Sequence, residues 1–447
     1  MLKTFRLGGV HPHDHKISRN ESIRIFDVPA TVTIPPGQHI GAPATATVQK
    51  GDKVRVGDVI GTATGFVSAN IHSSVSGTVT AVEAALDGAN LRKPAVTIAV
   101  EGDEWNPEID RTDTLVKECT LEPKEIIARI AAAGIVGLGG ATFPTQVKLS
   151  VPPGKTAEIL IINGVECEPY LTADYRLMME RGEELLVGCE ILMQALGVEE
   201  CAIGIENNKP EAIKHLKGIL AGGSYHKGIR VVPLKMRYPQ GGEKQLIAAI
   251  TRREVPSGAL PIDVGAVVQN VGTTYAVYQA VQKRRPIVDR VVTVTGKGLG
   301  RPSNLLVRIG TPIHLLIEAC GGMPEDTGKV INGGPMMGRA MANIEAPVTK
   351  GTSGVLLMST GESMRGREMP CIQCAKCVEA CPMGLEPYLI SKLSRLGIYD
   401  RLERERTADC IECGCCAFTC PSNLPLLDYI RLGKAETLKI IRARQVK

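Results

Sequence analysis

The 447-residue chain is 44% hydrophobic and 22% charged, so it is neither disordered nor fibrous, and it is too long for one ordinary core. A formal net charge of +5, spread along the chain, excludes the concentrated basic footprint of a nucleic-acid-binding protein. No apolar run reaches the ~18 residues of a membrane-spanning helix. The N-terminal "MLKTFRLGGVHPHDHK" also lacks the apolar stretch of a signal peptide, so a cytosolic setting is expected. There, 14 cysteines point to metal or redox use in preference to disulfides.

Residues 1–105 read as all-β: short Val/Ile/Thr runs punctuated by glycine turns. "KGDKVRVGDVIG" followed by "IHSSVSGTV" resembles the barrel-sandwich hybrid of lipoyl and biotinyl carrier domains. The turn that carries the lysine in those carriers falls near "FVSAN", which has none, so the scaffold is expected without a swinging arm. His11, His13 and His15 are open to two readings, a metal site or a surface loop.

Residues 106–285 alternate strand-like and helix-like segments, as α/β units do. "PKEIIARIAAAGIVGLGGATFP" is a helix running into a glycine-rich loop. "AEILIINGVECEP" is a buried strand ending in a polar loop, and "DVGAVVQNVGTTYAVYQAVQ" reads as strand, turn, helix. The polar residues sit at strand ends and helix starts, where such folds bind ligands. Residues 286–350 show alternation, a glycine-rich turn, more alternation and a helix, a small β-grasp-like module. Gly296, Gly298 and Gly300 read there as a hairpin turn, because no helix follows them directly. Residues 351–447 form a helical, cysteine-rich tail. It ends in "LPLLDYIRLGKAETLKIIRARQVK", a basic amphipathic helix that either docks on a partner or membrane face or is an ordinary last helix.

The tail carries the strongest signal. "CIQCAKCVEACP" places Cys371, Cys374, Cys377 and Cys381 before Pro382, and "CIECGCCAFTCP" places Cys410, Cys413, Cys416 and Cys420 before Pro421. Both are C-x2-C-x2-C-x3-C-P, the spacing of bacterial [4Fe–4S] ferredoxins. Three thiolates two residues apart lie on a loop that wraps one cluster and turns its amides toward the sulfides. The fourth cysteine is expected to start a helix pointing away, and so to ligate the other cluster. One cluster is then expected on Cys371, Cys374, Cys377 and Cys420, and the second on Cys410, Cys413, Cys416 and Cys381, roughly 10–12 Å apart. Structural zinc needs only C-x2-C pairs and has no use for a third cysteine two residues on or for the Cys-Pro that follows. Cys415 is out of register between two ligands; it reads as a small residue in preference to an S–H donor beside the cluster. Cys119, Cys167, Cys189, Cys201 and Cys320 read as small buried apolar residues.

Clusters carry one electron each and nicotinamides two as hydride, and a flavin converts between them. A flavin site is therefore expected upstream. In "GLGGATFPTQVK" (137–148) glycines let backbone N–H groups approach a phosphate or ring, and Lys148 can hold the phosphate. "NGVECEPYLTADYR" (163–176) puts Asn163, Glu166 and Glu168 just past a buried strand. "YPQGGEKQL" and "VVQNVGTT" add polar groups at expected strand-to-helix junctions.

In this order the stretches resemble the NADH-binding flavoprotein subunit of respiratory complex I, whose loops read G-x-G-G-A-x-F-P-T-x-x-K, N-x-x-E-x-E-P, Y-x-x-G-x-E and N-x-x-T. The first is met by Gly137, Gly139, Gly140, Ala141, Phe143, Pro144, Thr145 and Lys148. The second is met by Asn163, Glu166, Glu168 and Pro169, the third by Tyr238, Gly241 and Glu243, and the fourth by Asn270 and Thr273. Leu138, Val165 and Gly242 depart from that pattern. The resemblance implies that the first loop and the Asn segments hold FMN, that Phe143 stacks on the nicotinamide, and that Glu168 and Glu243 contact NADH.

The complete layout, from "FRLGGVHPHDHK" to the paired cysteine runs, is similar to the C subunit of the Rnf ion-translocating ferredoxin:NAD oxidoreductase over nearly the whole chain. This implies a multidomain α+β chain: barrel-sandwich hybrid (1–105), FMN/NADH-binding α/β flavoprotein core (106–285), β-grasp SLBB-like module (286–350) and helical two-cluster ferredoxin domain (351–447). It further implies an electron-transfer enzyme subunit with FMN, NAD(H) and two [4Fe–4S] clusters, and no acid–base catalytic residue. Its expected place is the cytoplasmic side of a membrane, peripheral to other Rnf-type subunits and through them to ferredoxin, with coupling to Na+ or H+ movement. The alternative is a soluble NADH-oxidising flavo-iron–sulfur protein that feeds a separate reductase. A third reading, an iron–sulfur scaffold whose core binds no nucleotide, is opposed by the intact Phe143-Pro144-Thr145 and Glu166/Glu168 pattern.

Overall fold

The computed structural model describes residues 2–445. The Val/Ile/Thr alternation of the first hundred residues pairs into two small antiparallel sheets. One holds Thr31–Ile34, Arg92–Val100, Gly77–Leu86 and Lys53–Val54 in that order; the other holds Thr45–Ala46, Val59–Thr62 and Ile71–His72. Val32, Ile34, Ile60, Ile71, Val79 and Ile98 are buried between them, as period-two patterning requires. The turn that would carry a lysine bears an exposed Phe66, and it is docked on the next domain. Gln146 Nε2 donates to Ser68 O at 2.7 Å, and Ile40 N donates to Thr142 O at 3.3 Å.

Strands buried on both faces read as continuous apolar runs. Four of them make an all-parallel sheet in the order Ile229–Leu234, Glu200–Glu206, Ile159–Asn163, Ala266–Asn270. Parallel neighbours need crossovers. Helices Gly182–Leu196, Pro210–Gly222 and Glu243–Thr251 lie in those connections. The chain builds outward from Ile159–Asn163 on one side, then returns to add Ala266–Asn270 on the other. That reversal opens a crevice beyond the carboxyl ends of these two strands, the position where α/β sheets bind ligands. Asn163 and Asn270 are register partners there. The expected turn within residues 266–282 does not exist. Asn270 ends its strand and directly caps the helix Val271–Gln282, its side chain accepting from Thr273 N at 3.3 Å, a cap worth about 1 kcal/mol.

The third sheet runs Ile23–Ile25, Ser303–Arg308, Asp289–Thr295, Gly354–Ser359, Thr327–Asn332, Arg339–Ala340. Asp289–Thr295 and Ser303–Arg308 are antiparallel neighbours, so the glycines at 296–300 do form a hairpin connection. The sheet exceeds the expected 286–350 span at both ends. Ile23–Ile25 belongs to it, not to the sandwich, because it pairs in parallel with Ser303–Arg308. Gly354–Ser359, expected in the helical tail, is a central strand, because buried Val355, Leu356 and Leu357 need cover on both sides.

Beyond it the tail is helical. Pro387–Arg395, Tyr399–Arg404 and the long Leu426–Gln445 pack around buried Ile390, Leu393, Leu402, Leu426 and Ile430. The last helix is therefore the backbone of this module, and its basic residues are partly tied down: Lys434 and Arg431 pair with Glu412, and Arg444 with Glu403.

Candidate functional site

Each cysteine run folds as a tight loop followed by a one-turn helix, Lys376–Glu379 or Cys415–Phe418. Left-handed backbone recurs at matching positions: Gln373 and Ala375 in one loop, Glu412 and Gly414 in the other. Each non-glycine residue there costs roughly 1–2 kcal/mol. Such alternation curls successive N–H groups inward and builds a concavity for an anionic group. The fourth cysteines do not start helices, contrary to the spacing-based expectation. Cys381 and Cys420 follow the ends of the one-turn helices, just before the prolines.

Cys371, Cys374, Cys377 and Cys420 line one cavity of about 270 Å3, walled by Tyr388 and Pro421. Three residues of one run and the fourth of the other thus share a space. Cys371 and Cys374 are exposed. Cys381, Cys413 and Cys416 are buried and Cys410 half-buried. Burial pushes the Cys416 thiol up, and the nearness of Cys410, Cys413 and Cys381 adds to it. Burial likewise pushes the Cys410 thiol up to about 11. A metal bound to such thiols would supply the charge that lets them ionise. Among the described residues no three Cys, His, Asp or Glu side chains converge on a point fit for a single metal ion. Cys371, Cys374, Cys377 and Cys420 surround space instead, and a cluster with its own bulk fits that arrangement. His13 and His15 lie 5.7 Å apart, and His15 stacks near Tyr170 at 4.9 Å.

The buried set abuts the α/β core. The Tyr238 hydroxyl donates to Cys413 O at 2.8 Å. Cys415, wholly buried, packs with Val10, Tyr238 and Ala380. It is a small residue at a domain junction.

The nucleotide-loop residues assemble around the crevice. Gly137 N donates to Phe143 O at 2.9 Å, closing the loop, and Leu138 N donates to Thr273 Oγ1 at 2.8 Å. Gly139 packs against Asn270, leaving 3.3 Å for any added Cβ. Gly140 is exposed with φ +121° and open space around it. Among the described residues no protein acceptor engages the N–H groups of Gly139, Gly140 and Ala141. These free donors fit a phosphate or a flavin edge. Lys148 Nζ donates to Glu243 Oε1 at 2.6 Å and to Val268 O at 3.1 Å. Asn163 Nδ2 donates to Gly241 O at 2.8 Å, joining the second and third loops.

The two glutamates have separate tasks. Glu166, with φ +45°, accepts from Asp174 N at 2.8 Å and Tyr175 N at 3.3 Å, so its carboxylate holds the start of helix Ala173–Glu180 instead of facing the crevice. Glu168 accepts from Met336 N at 3.1 Å and Met337 N at 2.7 Å, and Tyr238 OH lies 3.4 Å away. Burial pushes the Glu168 carboxyl up to about 7. Sequence patterns do not reveal Lys16, whose Nζ donates to Glu166 O, Glu168 O and Leu171 O at 2.8, 2.9 and 2.6 Å and so shapes the acidic loop. Nor do they reveal Asp174, which accepts from Asn270 Nδ2 at 2.6 Å. Lys16 ends "HPHDHK" and Asp174 lies inside the acidic stretch, but their partners are remote in sequence.

A parallel-sheet crevice with glycine-loop donors, joined to two interlocked cysteine loops, defines an iron–sulfur flavoprotein of electron transfer. Residues 3–104 match the RnfC Barrel sandwich hybrid domain, 130–279 the Nuo51 FMN-binding domain, 291–340 the SLBB domain and 364–422 the 4Fe-4S dicluster domain. The chain is 47% identical over 439 residues to the C subunit of the proton-translocating ferredoxin:NAD(+) oxidoreductase complex of Clostridium ljungdahlii, covering 98% of this chain and 94% of that one. It is 44% identical to the Na(+)-translocating counterpart of Acetobacterium woodii, covering 97% of each. It is also 44% identical to the C subunit of the ion-translocating oxidoreductase complex of Rhodobacter capsulatus, covering 97% of this chain and 84% of that one. The chain belongs to this family, the C subunits of ion-translocating ferredoxin:NAD oxidoreductase complexes. A crystal structure of an NAD+-reducing [NiFe]-hydrogenase shares the fold, with a TM-score of 0.50 at 18% identity over 70% of this chain and 61% of that one. Among the described residues no helix is long and apolar enough to cross a membrane.

Proposed function

We propose that this chain is the NAD-facing, peripheral subunit of a membrane-bound complex, lying on its cytoplasmic side. It exchanges electrons between NAD(H), FMN and two [4Fe–4S] clusters, with ferredoxin reached through the other subunits and Na+ or H+ movement coupled by the complex. The observation that carries this reading is the junction at Tyr238, where the nucleotide loops touch the buried cysteine loop, its hydroxyl donating to Cys413 O.

Cys371, Cys374, Cys377 and Cys420 would hold one cluster, and Cys381, Cys410, Cys413 and Cys416 the other. Gly137, Gly139, Gly140, Asn163, Asn270 and Thr273 would hold FMN, with Lys148 on its phosphate. Phe143, Glu168 and Glu243 would meet the nicotinamide nucleotide, while Glu166 and Gly241 support the loops. When bound, FMN takes two electrons from a nicotinamide and passes them on singly, the conversion that clusters need. The protein's part is positional. Asn270 anchors the helix start beside Gly139, Lys16 holds the acidic loop by three carbonyls, and Glu243 keeps Lys148 extended toward the crevice.

Anaerobic reconstitution with iron, sulfide and FMN tests the reading. About eight irons per chain, as two tetranuclear clusters require, and bleaching of the flavin band by NADH are expected. About four irons, or a flavin band indifferent to NADH, would sink it.

A further inference from the structure

The domain match to the barrel-sandwich hybrid begins at residue 3, but residues 5–10 form no part of the sandwich. They run as a strap between the α/β core and the cysteine module. On the core side, Val10 and Tyr238 exchange backbone hydrogen bonds at 2.8 and 2.9 Å. Phe5 is buried under the Arg237 guanidinium, 4.6 Å from its ring, and Arg237 donates to Phe5 O at 3.0 Å and to Gly8 O.

On the other side the strap meets the peptide of Cys381. Gly9 N donates to Ala380 O at 2.9 Å. Gly8 has φ +67°, and a Cβ there would fall 2.5 Å from the Cys381 carbonyl carbon and oxygen and 2.6 Å from Pro382 N. Gly9 has φ +90° and is closed in by Phe5 and Tyr238 O at 2.8 Å. Backbone atoms cannot yield as a flexible side chain does, so both positions exclude any side chain.

Cys381 differs from its partners Cys410, Cys413 and Cys416. They share one loop, whereas Cys381 arrives from the other run, and its own loop is shaped around the exposed set. Its position needs support from outside. We propose that the strap supplies it: Gly8 and Gly9 are positioning residues that clamp the Ala380–Cys381–Pro382 backbone against the core, so that Cys381 completes the buried ligand set. This rests on the two-cluster reading above.

The test compares wild type with Gly8→Val and with Arg237→Ala after anaerobic reconstitution. The readouts are iron content, the EPR signals of the reduced clusters, and iron release to a chelator. Gly8→Val is expected to lose one EPR signal, to fall from about eight irons to about four, and to keep FMN bleaching by NADH. Arg237→Ala loosens the strap without adding bulk. It is expected to release half of its iron several-fold faster than wild type, with the other half unchanged. Wild-type iron content, EPR and release rates in both variants would overturn the proposal, as would a parallel decline of both signals, the mark of general destabilisation. Wild type holding only about four irons would overturn the two-cluster reading and the proposal with it; unchanged variants beside a wild type holding about eight overturn the proposal alone.

Discussion

The two cysteine sets have the same spacing and nearly the same backbone, yet opposite surroundings. Cys371 and Cys374 are open to solvent at the rim of a cavity. Cys413 and Cys416 are buried, and Cys413 lies next to Tyr238, Val10 and the nucleotide-binding core. The difference gives the molecule a direction. The inner set lies on the side of the FMN/NADH loops and the outer set is open to solvent, so a repeat that is symmetric in sequence is expected to work as an ordered path in three dimensions.

The strongest way to break this contrast is to remove one ligand from each set. Cys371→Ser and Cys413→Ser should each cost about four irons per chain. Only Cys413→Ser should slow NADH-driven reduction of the surviving cluster, by at least ~10-fold, because electron transfer then lacks its intermediate stop. Stopped-flow absorbance would follow this, and a Cys371→Ser variant that is the slower of the two would reverse the proposed order.

Redox titration sharpens the contrast without mutation. Reduction adds negative charge, which burial disfavours. The outer cluster should therefore be reduced first in an EPR-monitored titration. Simultaneous reduction, or the inner signal rising first, would mean that hydrogen bonds to the inner set outweigh its desolvation.

Tyr238→Phe probes the junction itself. It leaves the buried Cys413 carbonyl without its donor, a loss of roughly 1–3 kcal/mol. Iron release from the inner set should quicken while the outer set holds; equal rates in variant and wild type would remove Tyr238 from the junction's support.

The smallest effect concerns Glu168. Its folded-state pKa is about 7 against an ordinary 4.5, raised by burial. The folded state therefore binds more protons between those values, and this residue's contribution to stability falls as pH rises from about 4.5 to about 7. Glu168→Gln should flatten that part of the pH dependence of the thermal midpoint. A variant with the wild-type slope would place the carboxyl's titration elsewhere.

Much of this was legible in the chain. The cysteine runs declare themselves by spacing, because three thiolates two residues apart suit a loop around a cluster whatever else the protein contains. The apolar run of Ile159–Asn163 announces a buried strand, and the polar residues around Asn270 announce a strand-to-helix junction, although the cap itself reads as a turn. Other features were not legible because their partners are remote. Lys16 reaches across 155 residues to Leu171 O, Glu168 meets Met336, and Gly354–Ser359 joins its sheet across a stretch that reads as the start of a helical tail. The expectation that Cys381 and Cys420 open helices failed for a local reason: three residues on, Gly384 and Asn423 take left-handed backbone, which a right-handed helix cannot contain, and the next helices begin only at Pro387 and Leu426.

By itself, then, the sequence determined the chemistry: ligand count, ligand type, glycine positions for close backbone approach, and the strand and helix periods. These depend on spacing along the chain, which no packing alters. Only the tertiary structure decided which set is buried, that Glu166 caps a helix while Glu168 grips the β-grasp module, and that two N-terminal glycines press on the Cys381 peptide. Those outcomes depend on which surfaces meet, and a meeting of surfaces hundreds of residues apart leaves no period or spacing in the chain.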